Sequence, residues 1–285
     1  MTVISSNGFS RIVSIANQKG GVGKTTTSVN LAASLAHLGQ KTLLIDLDPQ
    51  GNASSGLGLP KEDNEQGVYD VLMGDVSTAE EIHSIIKETN SENLYVLPAT
   101  RDLLGVEVEL TNSTNRETRL KSALKKIVSE YQWVILDCPP SLGFLTINAL
   151  TASDGLLVPV QSEYYALEGL GELLRTLSVV RKGLNPQLKR DGILLTMHDG
   201  RNNLCGHVED QVREVFGSEV FDTVIPRNVR LGEAPSYGCS VLEYDPFCAG
   251  AVAYLDVTKE LLANHSISII NDSIESQPAI SLEVM

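Results

Sequence analysis

Residues 12–27 read IVSIANQKGGVGKTTT. A short apolar run, Ile12–Ala16, passes into a loop containing Gly20, Gly21 and Gly23. Apolar Val29, Leu31, Ala32, Leu35 and Leu38 then recur at helical spacing over 25–38. Strand, glycine loop and helix form the context that a phosphate-binding loop requires. Glycine reaches backbone angles closed to other residues, and the bare N–H groups of Gly20, Gly21, Val22 and Gly23 can wrap an anion. The helix that follows points its positive end at the same anion. On this reading Lys24 reaches the β- and γ-phosphates. Thr25 places its hydroxyl on Mg²⁺, and Thr26 sits by the α-phosphate. The pattern G-x-x-x-x-G-K-[ST] is not met, because its first glycine falls on Gln18. A second lysine, Lys19, opens the loop instead. A glycine-rich turn with no ligand is the competing explanation.

Outward from the loop, apolar runs of four to seven residues recur at Thr42–Leu47, Leu94–Leu97, Trp133–Leu136, Gly155–Val160, Gly192–Met197 and Val220–Ile225. Most are continuous rather than alternating, as strands buried on both faces of a parallel sheet must be. Helical patterns lie between them. Leu167, Leu170, Leu174 and Leu177 mark one helix, and Val252, Leu255, Leu261 and Leu262 mark the last. The alternation predicts an α/β fold: a doubly wound, mostly parallel sheet with helices on both faces. Residues 11–264 are expected to form a single domain. Residues 1–10 form a short polar tail, and 265–285 an acidic C-terminal tail expected to be disordered, with three acids and no Lys or Arg.

A phosphate site that uses Mg²⁺ needs carboxylates close by. Two apolar runs end in acids, at Asp46-Leu47-Asp48-Pro49-Gln50 and at Asp137-Cys138-Pro139-Pro140. In open α/β sheets, ligands sit at the carboxyl ends of strands. Asp137, after four apolar residues, is placed to hold Mg²⁺ through water. Asp46 and Asp48 are two apart and face the same way on an extended strand. Asp46 is expected to hold the loop or the metal shell. Capping of loops is the alternative for any one of these acids.

Formal charge is −14, which argues against coating nucleic acid by bulk charge. The charge is uneven. Residues 61–117 hold 13 acids and four bases, whereas 175–190 hold five bases and no acid. Cys138, Cys205, Cys239 and Cys248 form no CxxC pair, so a zinc site is not expected and a reduced, cytoplasmic chain is. No apolar run approaches a membrane span of ~20 residues, and the N-terminus has no signal-peptide core.

KGGVGKTT (19–26) resembles the deviant Walker A box of the ParA/MinD class of P-loop ATPases. DPQGNASSGLG (48–58), DCPPSLGFLTINAL (137–150), PVQSEYYALEGL (159–170) and IPRNVRLGEAPSYG (225–238) resemble its chromosome-partitioning ParA (Soj) branch. The resemblance covers roughly 11–264. It implies binding and Mg²⁺-dependent hydrolysis of ATP, with ATP and ADP as the bound nucleotides. It implies that Lys19 reaches across a sandwich homodimer to the partner's phosphates. It assigns Asp48 to positioning the attacking water and to the metal's surroundings, and places Pro226, Arg227 and Asn228 around the adenine. Pro139–Gly143 matches a switch that senses the γ-phosphate. Lys19, Lys24 and Asp48 are then the catalytic set, with Thr25, Asp48 and Asp137 around the metal.

The resemblance further implies stimulation by a ParB-like partner and non-specific DNA binding as the ATP dimer, hence a nucleoid-associated protein. Arg201 and Arg230 match positions credited with phosphate contacts, and the bases of 175–190 extend such a surface. Pairing with Asp199 or Glu233 is the alternative for these two arginines. The chain departs from the pattern at Cys239-Ser240 and at Phe247-Cys248-Ala249, where relatives commonly carry bases. That departure keeps open a relative that positions a non-DNA cargo, with DNA binding weak or absent. No basic amphipathic C-terminal helix is present for a MinD-like membrane role. The cysteines do not fit an iron–sulfur role.

Overall fold

The computed structural model describes residues 10–60, 64–163 and 166–265. The N-terminal tail up to residue 9 and the C-terminal tail from 266 lie outside them. So do Tyr164 and Tyr165 of the EYYALEGL motif. Seven strands form one sheet: β1 (Arg11–Ile15), β2 (Thr42–Asp46), β3 (Lys87–Glu88), β4 (Leu94–Leu97), β5 (Trp133–Asp137), β6 (Gly155–Gln161) and β7 (Lys189–Thr196). Their order is β3-β4-β2-β5-β1-β6-β7. Every pairing is parallel except the two-residue edge strand β3, which runs antiparallel to β4.

The longer helices are α1 (Lys24–His37), α2 (Phe144–Ala152), α3 (Ala166–Gly183), α4 (Asn203–Phe216) and α5 (Ala249–Asn264). They cover both faces of the sheet. Val13, Ile15, Leu44, Trp133 and Ile135 pack with Leu31 and Leu35 of α1 and Tyr254 and Leu261 of α5. Their chain neighbours Ile12, Leu43, Ile45, Val134 and Leu136 pack instead with Ala149 and Leu150 of α2, Leu173 and Leu177 of α3, and Val212 of α4. Successive strand side chains point to opposite faces. Two cores therefore draw on alternate residues of the central strands, and the runs are largely apolar without alternation. The doubly wound sheet expected from the sequence is present.

One expected strand is absent. Val220–Ile225 runs beside β7 but touches it only locally, through the Ile193–Val220 and His198–Pro226 bridges. Phe221 N–H donates to Ile193 O and Ile225 N–H to Leu195 O. Between them, Asp222 and Thr223 donate their N–H groups to the Glu260 carboxylate at 2.7 and 3.2 Å. A side-chain acceptor from α5 takes the bonds that a ladder would need, and the run stays irregular.

Candidate nucleotide site

Strands β2, β5 and β1 end side by side, with Asp46 opposite Asp137 and Ile15 opposite Asp137. The chain leaving β1 therefore enters its loop beside the two acid-bearing strand ends. The loop is pinned from behind. Asn17 donates to Pro159 O at 2.7 Å and accepts from Lys19 N–H at 3.1 Å, and Thr196 donates its hydroxyl to Val22 O at 2.9 Å. Gly21 (φ 74°) and Gly23 (φ 85°) occupy the left-handed region. A Cβ on Gly20 or Gly21 would meet nothing within 4 Å. The demand at Gly21 is thus torsional, and the loop faces open space where a ligand can sit. Gly23 caps α1 without a side-chain acceptor, so the first N–H groups of the helix remain available to an anion.

Charge gathers beneath this loop. Lys24 is buried, and its ammonium donates to Lys19 O at 3.2 Å. Burial lowers its pKa, while Asp137, Cys138 and Asp48 pull the other way. Asp137 is fully buried. Ser28 donates to its Oδ1 at 2.7 Å, and its Oδ2 is buried without a hydrogen-bond partner. Desolvation, reinforced by Asp46, lifts the Asp137 carboxyl well above the ordinary carboxylate range, against the hydroxyls of Ser28 and Thr25.

Asp46 is buried too and is spent on the backbone. Its carboxylate accepts from Ser54 N–H (2.8 Å), Ser54 Oγ (2.7 Å) and Asp48 N–H (3.2 Å). It therefore ties down the loop that carries Asp48. Burial raises its pKa as well. Asp48 is 8 % exposed, and its Oδ1 accepts from Gln50 N–H at 2.9 Å. Cys138 is a buried small hydrophobe whose thiol burial pushes upward.

Beside the loop lies a cleft of ≈ 260 Å³. Pro226, Arg227 and Asn228 line it together with Gly23 and Thr26, so two segments 200 residues apart in sequence meet there. Thr196, Met197 and Tyr254 also line it. The sequence reading missed these three, along with Ser28. Thr196 and Met197 end an apolar run, and the position of ligands at strand ends was the available signal.

Lys19 points away from this cluster, with Nζ 3.4 Å from the Glu163 carboxylate at the surface. Arg201 and Arg230 do not join the cleft. Arg201, its side chain 92 % exposed, forms a two-pronged pair with Asp199 at 3.0 and 3.1 Å. Arg230 pairs with Glu233 (2.7 Å) and Asp245 (3.3 Å) over the ring of Tyr244. In the basic stretch 175–190, Arg190 pairs with Glu219, and Arg181 donates to Leu188 O. Ser141 in the Pro139–Gly143 segment is held by the Thr146 hydroxyl on its carbonyl.

Known proteins are similar to this chain in sequence and in fold. The AAA_31 model, an AAA domain, matches residues 10–190. The chain is 56 % identical over 254 residues to the sporulation initiation inhibitor protein Soj of Bacillus subtilis, covering 89 % of this chain and 99 % of that protein. It is 52 % identical over 253 residues to the chromosome-partitioning ATPase Soj of Thermus thermophilus, covering 89 % and 96 %. Among solved structures it is similar to cobyrinic acid a,c-diamide synthase from Mycobacterium smegmatis with bound ATP analog and magnesium. That match has a TM-score of 0.79 and 37 % identity, over 90 % of this chain and 96 % of that one. The ADP and magnesium form of the same protein gives a TM-score of 0.79 at 35 % identity, over 96 % and 100 %. With its glycine loop, strand-end acids and adjoining cleft in one place, this chain belongs to the Soj/ParA family of chromosome-partitioning ATPases.

Proposed function

We propose that the chain is an ATP-driven dimerisation switch for partitioning, and that the described cluster hydrolyses ATP. The observation that carries this reading is the convergence of Lys24, Asp48 and Asp137 beneath an open glycine loop, beside a cleft lined by Pro226–Asn228. In this reading the loop N–H groups of Gly20–Gly23 and the Lys24 ammonium hold the β- and γ-phosphates, with Thr26 by the α-phosphate. The buried, unpartnered Asp137 Oδ2 and the Thr25 hydroxyl beside it fit a divalent cation. Thr25 would hold Mg²⁺ directly and Asp137 through water, and the ion would supply charge neutralisation for the phosphoryl oxygens. Asp48, its carboxylate oriented by Gln50 N–H, positions the water that attacks the γ-phosphorus as ADP leaves.

Lys19 belongs to the neighbouring subunit's site. Its exposed ammonium, held by a surface pair with Glu163, can cross a sandwich dimer at little cost. The dimer presents two copies of Arg201 and Arg230 to DNA phosphates, and pairing them multiplies a weak, sequence-independent contact. A ParB-like partner then stimulates hydrolysis and resets the switch on the nucleoid.

A second reading is favoured by the same arginines. Arg201 and Arg230 are both neutralised by acids of their own chain. A cargo other than DNA is then positioned by the same ATP cycle. One salt titration separates the two. ATP-dependent retardation of random duplex DNA that falls steeply with salt and is weakened in Arg230→Ala supports the first. No retardation at low salt, with ATP turnover intact, supports the second.

A further inference from the structure

Among the described residues, three that are not glycine have positive φ: Asn93, Asn115 and Met197 (φ 52°). Asparagine tolerates the left-handed region, whereas a long side chain there is strained. Met197 is therefore the exception, and it lies at the cleft beside the phosphate loop. Strain of this kind persists only where neighbouring structure over-determines it. The neighbours here are identifiable. Before Met197, Ile225 N–H donates to Leu195 O at 2.8 Å, and the Thr196 hydroxyl is bonded to Val22 O. After it, His198 N–H donates to Ile225 O and Arg227 N–H to His198 O, both at 3.0 Å. Both flanks of Met197 are thus tied to one segment, 225–227. The residue between them makes the turn in the left-handed region and contributes to the wall of the cleft.

That wall has a distinct composition. Gly23 and Thr26 mark the phosphate side, Pro226 and Leu231 are apolar, and Asn228 supplies an amide able to read the edge of a base. A thioether is unbranched and polarisable and makes favourable contacts with aromatic rings. We infer that Met197 is a base-packing residue: its thioether lies against the heteroaromatic ring of the bound nucleotide, and the strained backbone keeps it there. This rests on the reading above that the cleft takes the base of ATP.

The test separates strain from packing. Glycine and asparagine both suit a left-handed backbone and both lack the thioether, so Met197→Gly and Met197→Asn remove the packing without opposing the turn. Binding of ATP, ADP and sodium triphosphate, each with magnesium, is measured by calorimetry on the full chain, together with the melting temperature without ligand. Both variants should melt at or above the wild-type temperature. Both should bind ATP and ADP about tenfold more weakly, as loss of a sulfur–aromatic contact implies, with triphosphate affinity unchanged. Met197→Leu, which keeps the bulk and the strain, should fall between them and wild type. Wild-type ATP affinity in Met197→Gly and Met197→Asn would overturn the assignment, and so would an equal loss of triphosphate binding. If the wild-type protein binds triphosphate as tightly as ATP, the cleft does not take the base. It is then the underlying reading that fails.

Discussion

Charge is used in two opposite ways in this molecule. Under the phosphate loop, Lys24, Asp46, Asp48 and Asp137 are buried together at the ends of three central strands. On the surface, Arg201 and Arg230 sit in salt bridges with neighbours close in sequence. Burying an ionised group is expensive unless it is paired or neutralised, so the first group persists at a cost to the folded state. Exposed pairs contribute little either way. The lesson is that the buried group, which on the proposed reading carries the activity, is costly to keep, whereas the surface group is cheap to keep and cheap to change.

Breaking the buried group should therefore have the largest effects. Lys24→Ala should lower ATP turnover by on the order of 10²–10³-fold, as removal of a preorganised charge stabiliser does, measured as phosphate release. Asp48→Ala should keep nucleotide affinity and lose turnover by roughly 10²–10⁴-fold. Retained turnover would remove Asp48 from positioning the water.

Asp137 gives a subtler outcome. Burial raises its carboxyl pKa in the folded chain, so the folded state holds a proton that the unfolded state has released. Without magnesium, the Asp137 contribution to stability should decline by at most about 1.4 kcal/mol per pH unit as pH rises above the unfolded carboxylate value of about 4, levelling off above the raised folded value, and the raised Asp46 carboxyl adds a decline of the same sign. Asp137→Asn should flatten that dependence in thermal melts and lose magnesium-dependent nucleotide binding.

The smallest stability effects belong to the surface. Arg201→Ala and Arg230→Ala should change folding stability by no more than about 0.5 kcal/mol. On the DNA-binding reading, each removes one phosphate contact per subunit and should reduce the salt slope of retardation by the dimer by about two.

Legibility in the sequence follows the same division. The phosphate loop, Asp48 and Asp137 stand out because local pattern and strand ends mark them. The continuous apolar runs are legible because each strand but the edge strand β3 feeds two cores. The Val220–Ile225 run misleads because the bonds that break it come from Glu260, 37 and 38 residues away. The role of Asp46 as a clamp on Ser54 appears only once the loop closes. Met197 and Tyr254 reach the cleft through tertiary proximity that no local motif encodes. Arg201 pairs with an acid two residues away, which spacing alone suggests, but the link from Arg230 to Asp245 needs the fold.

The central claim is a switch in which the buried cluster binds ATP and Lys19 completes the site of a second copy. Light scattering of wild type and Lys19→Ala, with and without magnesium ATP, tests it most directly. The wild-type chain should double in mass only with ATP, and Lys19→Ala should remain folded and monomeric. An ATP-dependent dimer of Lys19→Ala equal to that of wild type would contradict the account.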